Sequence, residues 1–343
     1  MKILVTGSEG YIGCVLTPRL IAAGFDVVGF DTGYYRDGWL FSEPAQLSVL
    51  PPTIIGDLRD FQARHLEGID AVVHLAELSN DPLGENSPAV TFDINHRGSV
   101  KLAEMAKAAG IERFVYTSSC SVYGVSGKDI VDETSPVDPQ TAYAKCKCLV
   151  ENDLTALADD SFSPVFLRNA TAFGASPRMR FDIVLNNLAG LAWVNREIAM
   201  TSDGSPWRPL VHIDDISSAV IAALQAPRDL IHGEVFNVGA NAQNYQVREI
   251  AEAVAHVFPG CKVSFGPADQ DNRSYKVNFD KIAALPGYDA KHALSDGAQE
   301  LYDVFSRIEM AASTFEFRAF TRLKQLKYLL RTQQIDDAFY WRR

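Results

Sequence analysis

The chain opens on an unbroken apolar run, Ile3-Leu4-Val5, that stops at Thr6-Gly7. The same arrangement recurs through the first half, in DVVGFD (26–31), TIIGD (53–57), DAVVHLA (70–76), RFVYTSS (113–119) and PVFLRNA (164–170). These runs do not alternate apolar with polar residues, as a strand with one wet face would. Continuous apolar runs belong to strands covered on both faces. Between them apolar positions recur three and four residues apart over 11–24, near 89–109 and near 141–158, and the first two stretches stop at Gly24 and Gly110. Strands separated by helices predict an α/β fold with a Rossmann-type, doubly wound parallel sheet. Pro18 lies past the first turn of the first helix, where it removes a backbone hydrogen bond, so a kink is expected there.

After about residue 175 the alternation weakens, although HGEVFNVG (232–239) reads as a strand returning to the sheet. The pattern divides the chain into a dinucleotide-type domain over 1–174, with 210–240 returning to it, and a smaller mixed substrate-binding region over 175–305. A helical C-terminal extension follows over 306–343. The extension contains RLKQLKYLL (322–330) and carries eight basic against four acidic residues, which fits an amphipathic helix packed on the body or on a neighbouring subunit. A docking surface for a partner is the other reading of its charge.

Composition narrows the field further. A chain of 343 residues with 47% hydrophobic and 22% charged residues is ordinary for a globular protein. Its net charge of −11 argues against a general binder of nucleic acid or anionic membrane, and leaves an anionic small molecule open. MKILVTG enters a strand directly, and no apolar stretch reaches the roughly 20 residues of a membrane helix, so neither a secretory leader nor a membrane span is expected. The five cysteines form no regular framework, which suits a reducing cytoplasm. Cys146 and Cys148 lack a second ligand pair at metal spacing, so no metal is expected.

The chemistry concentrates at strand ends. Gly7-Ser8-Glu9-Gly10-Tyr11-Ile12-Gly13 stands between the first strand and the first helix, where glycines admit a pyrophosphate to the helix N-terminus. Asp31 ends the second strand, placed to accept both ribose hydroxyls of an adenosine and to repel a 2′-phosphate, which favours NAD over NADP. Asp57 and Leu58, after the third strand, are placed for the adenine edge. Tyr143 and Lys147 are four apart and share a helix face, and an ammonium beside a phenol favours the phenolate that a general base requires.

With these pieces in order, the chain resembles the extended short-chain dehydrogenase/reductase family, the nucleotide-sugar epimerases and dehydratases. The resemblance rests on VTGSEGYIG, Asp31, GDLRD (56–60), HLAE (74–77), TSSCSVYG (117–124), YAKCK (143–147), WRPLVHIDD (207–215) and DNRSYKVNFDK (271–281), and ends before residue 305. It implies NAD held by the Rossmann domain with Leu75 and Ala76 beside it, a nucleoside-diphosphate sugar as substrate, and a homodimer. Ser119, Tyr143 and Lys147 match the family's catalytic triad. Arg208 and Arg273 match its diphosphate arginines, a role suited to guanidinium. Cys120, Ser121, Arg178, Arg180 and Asn187 fall where substrate contacts are expected. The family's Asn before its YGP turn is Thr171 here, and Asn169 is read as its substitute. His74 and His212 read as framework.

Family members begin by oxidising a sugar hydroxyl to a ketone and diverge afterwards. The 4,6-dehydratases follow their strand-end hydroxyl with Asp-Glu, the acid and base for eliminating water, where this chain has Cys120-Ser121. Dehydration is therefore disfavoured. An epimerase, most simply at C4, is the leading expectation, ahead of a keto-sugar reductase. Cys120 as a proton-moving group and a non-enzymatic NAD-binding protein stand further back.

Overall fold

The computed structural model describes residues 1–42, 49–79, 87–124, 130–267 and 274–342. Seven strands form one sheet: β1 (Lys2–Thr6), β2 (Asp26–Asp31), β3 (Thr53–Ile55), β4 (Ala71–His74), β5 (Arg113–Ser119), β6 (Ser163–Asn169) and β7 (Val235–Val238). Their spatial order is β7-β6-β5-β4-β1-β2-β3 and every pairing is parallel. The late strand anticipated in HGEVFNVG is β7, seated beside β6.

Continuous apolar strands have the meaning they carried in the sequence. Five helices matter to this sheet and its neighbour: α1 (Gly13–Ala22), α2 (Ser99–Ala108), α3 (Ala142–Leu157), α4 (Val184–Asn195) and α5 (Ile213–Gln225). Ile3, Val5, Val73, Val115 and Val165 point to one face, where Leu16 and Leu20 of α1 and Ile216 and Val220 of α5 cover them. Leu4, Val72, Phe114 and Phe166 point to the other, against Leu102 of α2 and Val150 and Leu154 of α3. Successive residues of each strand thus enter opposite cores, and polar positions would be costly on either side.

One local departure from the expected pattern occurs. The helix anticipated near 89–109 is compound, with a short Pro88–Thr91 turn and a π-helical Phe92–Gly98 segment preceding α2. The wider turn holds buried Asn95 so that its amide both accepts from and donates to the backbone of Leu78, just beyond β4. Helix α1 continues through Pro18 to Ala22, so the proline does not end it.

A second lobe surrounds a small sheet of Thr171–Phe173, Trp207–His212 and Asn244–Gln246. Helices α4, α6 (Val247–Val257) and α7 (Leu294–Arg307) close its core around Leu185, Leu210, Ile250, Leu301 and Phe305. Beyond α7 the extension folds back on the body through α8 (Arg322–Arg331), which buries Leu326 and Leu329 with Ile335, Phe339, Tyr34, Leu78 and Ile94. The amphipathic pattern of RLKQLKYLL is satisfied within the chain. Leu329→Ala should leave a void in that cluster and cost roughly 2–5 kcal/mol, read as a lower denaturant midpoint. An unchanged midpoint would mean that the extension does not unfold with the body.

Candidate active site

Parallel strands end together, so β1, β2, β4, β5 and β6 deliver their last residues to one edge of the sheet. Chain order reverses between β1 and β4, and a crevice forms at such a reversal. Gly7 turns the chain out of β1 at φ +74°, and a Cβ there would stand 2.9 Å from the Ala76 backbone nitrogen. Gly13 allows α1 to begin close behind, since a Cβ on it would meet the Gly7 carbonyl at 2.2 Å. The N–H groups of Tyr11, Ile12 and Gly13 take no acceptor among the described residues. Three open donors at a helix N-terminus are the arrangement a pyrophosphate needs. Asp31 lines the same cavity and is oriented by the N–H groups of Glu9 (3.0 Å) and Gly33 (2.8 Å). Burial pushes its carboxyl up, against those hydrogen bonds. Arg36 is committed to Glu9 through two hydrogen bonds of 2.6 and 2.8 Å. These residues fit an adenine dinucleotide. Asp57, Leu58, Leu75 and Ala76 line the same cavity.

At the far end of the cavity lie Ser119, Tyr143 and Lys147. Thr141 caps α3 by accepting from Ala144 N–H at 3.2 Å, which starts the helix one residue before Tyr143 and turns Tyr143 and Lys147 to the same side. Lys147 is buried, donates to the Thr117 carbonyl, and stands 2.9 Å from Glu77. Its ammonium lies 5.4 Å from the Tyr143 ring centre and 4.6 Å from that of Tyr116. Ser119 accepts from Ser121 N–H at 3.2 Å and keeps its hydroxyl at the cavity wall. Ser121, Asn169 and Arg180 also line the cavity. The Ser121 hydroxyl and the Asn169 carbonyl oxygen are buried without a hydrogen-bond partner among the described residues. A smaller recess continues from Ser119, Ser121 and Asn169 to Arg208 and Tyr275.

Three anticipated contacts are not brought to the cavity. Cys120 turns into the core, its thiol 3.1 Å from the Arg168 carbonyl, and burial drives it far above the ordinary thiol range. A neutral, inward-facing thiol touches no substrate and moves no proton there. Arg178 directs one guanidinium nitrogen, Nη1, to the carbonyls of Tyr35, Arg36 and Gly38, bracing the loop after β2. Asn187 donates to the Phe181 carbonyl at 2.9 Å within the second lobe. Arg273 lies outside the described residues. His74 is framework: it bonds to the hydroxyls of Thr6 and Ser99, and burial, with the charge of Lys147, holds its ring down to about 3.

Residues 3–239 match the NAD dependent epimerase/dehydratase family. The chain belongs to that family. The UDP-glucose 4-epimerase of Lacticaseibacillus casei is 30% identical over 322 residues, covering 82% of this chain and 93% of the relative. A UDP-glucose 4-epimerase structure from Stenotrophomonas maltophila, with bound NAD and formylated UDP-arabinopyranose, superposes with a TM-score of 0.77 at 25% identity over 90% of this chain and 99% of that one. An NAD dependent NDP-hexosamine 5,6-dehydratase of tunicamycin biosynthesis shares the fold, with a TM-score of 0.78 at 20% identity over 91% and 99% of the two chains. This epimerase/dehydratase-family protein is an enzyme and its cofactor is NAD. Among the described residues no helix is long and apolar enough to cross a membrane.

One residue of the site escaped the sequence reading. Glu77, at the end of HLAE, looked like part of a strand-exit motif. In the fold its carboxylate is buried, accepts from the Tyr116 hydroxyl at 2.6 Å and pairs with Lys147. Burial raises the Glu77 carboxyl, against the pull of Lys147. Burial alone would lower Lys147, but Glu77 and then Tyr143 outweigh it and hold the lysine above its ordinary value. An acid directly after a strand and two apolar residues was the available signal. Removing an anion makes its neighbours lose protons more readily. Glu77→Gln should therefore move both limbs of the pH–activity profile to lower pH, by roughly one to two units. A profile that stays in place would show that Glu77 has no electrostatic hold on the pair.

Proposed function

We propose that this enzyme is an NAD-dependent nucleoside-diphosphate-sugar 4-epimerase. One observation carries the reading. Ser119, Tyr143 and Lys147 converge on the cavity that contains the glycine cradle, while the position after Ser119 offers only a thiol turned into the core. The carboxylates of the described cavity wall are Asp31, Asp57 and Glu77. Asp31 is held by backbone N–H groups, Asp57 by Arg59 through bonds of 2.7 and 2.8 Å, and Glu77 by Lys147. None is free beside Ser119 to protonate a leaving hydroxyl, so the arrangement supports oxidation and return rather than elimination.

In this reading Tyr143 takes the proton of the sugar C4 hydroxyl, and Lys147 stabilises the phenolate that does so. Ser119 hydrogen-bonds the same oxygen and fixes its position. Bound NAD supplies the acceptor, and then the donor, for the hydrogen on C4. After the keto-sugar turns its other face, Tyr143 returns the proton. Ser121 and Asn169, with buried atoms that have no partner, are the contacts proposed for the remaining sugar hydroxyls. Arg208, at the end of the adjoining recess, is assigned to the diphosphate. The UDP-glucose 4-epimerase relatives make UDP-glucose the first substrate to try.

The decisive experiment incubates the purified enzyme with UDP-glucose and a panel of other nucleotide sugars without added cofactor, and reads products by NMR. Formation of the C4 epimer is expected. A 4-keto-6-deoxy product, or turnover only with added NADH, would replace the reading by dehydratase or reductase. Tyr143→Phe should lower turnover by roughly 10² or more while leaving substrate binding intact, a split measured by steady-state rates alongside calorimetry. Arg208→Ala should weaken UDP binding by about tenfold. Equal affinity for UDP in the two proteins would remove Arg208 from the diphosphate.

A further inference from the structure

Arg322 opens α8, in the extension that lies beyond the family match at residue 239. Although it sits in a stretch rich in exposed basic residues, it is only 3% exposed. Its side chain lines the same cavity as Gly10 and Asp31. The guanidinium stacks on the Tyr35 ring, 3.9 Å from its centre. Its backbone N–H donates to Asp182 at 3.1 Å, yet the guanidinium forms no hydrogen bond or ion pair among the described residues. Arg180 nearby contrasts with it, since its guanidinium is spent on Asp182 and Ser79. Buried charges in folded proteins are ordinarily paired, because leaving one unpaired costs free energy. Burial, with the charge of Arg180 second, pushes Arg322 down to about 10, while Tyr35, Asp182 and Asp31 oppose the shift. A cation kept in a cavity with carboxylates nearby but none in contact has room for an anionic ligand.

We propose that Arg322 binds the pyrophosphate of NAD, which makes the C-terminal extension part of the cofactor site. The position selects this anion. Asp31 marks the adenosine ribose, the open N–H groups of residues 11–13 mark the phosphates, and Ser119 with Tyr143 marks the reacting end. Tyr35, on which Arg322 stacks, is four residues beyond Asp31. On that half of the dinucleotide the two bridging phosphates are the only anionic groups. The substrate's diphosphate is assigned to the Arg208 recess, beyond Ser119.

The extension is fastened to the same loops. Gln325 donates to the Tyr34 carbonyl at 3.0 Å, Trp341 to the Thr32 carbonyl at 2.8 Å and Arg59 to the Ala338 carbonyl at 2.7 Å. The Tyr34 hydroxyl donates to the Phe339 carbonyl. Segments on both sides of the adenosine half are therefore tied to one element, which holds Arg322 in register with them. The inference rests on NAD as cofactor and not on epimerisation.

The test compares wild type, Arg322→Met and Arg322→Lys by the NAD released from purified protein. It also measures the affinities of the NAD-free proteins for ADP-ribose, adenosine and UDP, together with their melting temperatures. Arg322→Met should bind ADP-ribose about tenfold or more weakly, bind adenosine and UDP as wild type does, and carry less NAD. Arg322→Lys should recover part of the loss. NAD-free Arg322→Met should melt no lower than NAD-free wild type, because it has shed an unpaired buried charge. Unchanged affinity for ADP-ribose overturns the proposal. Equal losses for ADP-ribose and adenosine with a lower melting temperature overturn it too, by making Arg322 merely structural. A loss confined to UDP transfers the residue to the substrate. Since each readout is binding or stability, a failure to epimerise any sugar leaves these outcomes distinguishable.

Discussion

The site depends on one buried charge. Taking the Lys147 ammonium out of water is expensive, and the cost is recovered only if every partner is in place. Those partners come from three separate pieces of chain: the Thr117 carbonyl near the end of β5, Glu77 beyond β4, and Tyr143 one turn earlier on α3. A shift of any piece would leave an ammonium or a carboxylate orphaned in the core, a loss of about 3–5 kcal/mol. Geometry at the reacting end is thus enforced by electrostatics that have no slack. A second buried pair fixes the same helix one turn later. Glu151 receives Arg168 of β6 at 2.7 Å and the hydroxyl of Ser118, so residues 147 and 151 clamp one face of α3 across two strands.

The opposite end of the cavity is built on another principle. Around Asp31 the walls are loops, and loops need an external brace to hold a ligand for long. Arg178 supplies one brace from the second lobe by gathering the carbonyls of residues 35, 36 and 38. The extension supplies the other, with Leu326 and Leu329 packed beside Tyr34 and Ile94. Under the proposed epimerisation NAD is regenerated in each cycle and has no need to exchange, which suits a braced loop wall. A reductase that renews its cofactor every turnover would be slowed by the same brace.

What the sequence disclosed follows from range. The strands, the glycine turn and the Tyr143–Lys147 face are local patterns, in which the residues that cooperate lie within a few positions of one another. Asp31 was legible because a strand end fixes where its side chain emerges. Glu77 was not, since its partner lies 70 positions along the chain and nothing near it signals a cation. Arg322 was hidden differently. In a helix with several basic residues the pattern reads as a solvated face, and only tertiary packing separates the buried arginine from its exposed neighbours. Arg178 and Asn187 stood at the right place along the chain, but backbone carbonyls claimed their side chains.

The hydroxyl-rich end of β5 illustrates how little residue type decides by itself. Thr117, Ser118 and Ser119 are consecutive and chemically alike, and burying any of them without a partner would be unfavourable. Thr117 settles its hydroxyl on the His74 carbonyl at 2.9 Å, and Ser118 gives its own to Glu151. These two bonds hold β5 to β4 and to α3. All three residues line the cavity, but Ser119, at the last position of the strand, is the one whose hydroxyl donates to no acceptor among the described residues. Cys120 then starts a tight turn that sends its thiol back into the core and returns Ser121 to the wall. The tight turn that follows β5, and not the sheet, separates Ser119 and Ser121 from the residue between them. Cys120, where the 4,6-dehydratases carry an acid, is thereby packed against the Arg168 carbonyl and stays out of the cavity wall, so two hydroxyls and no proton donor of carboxylic type follow the strand.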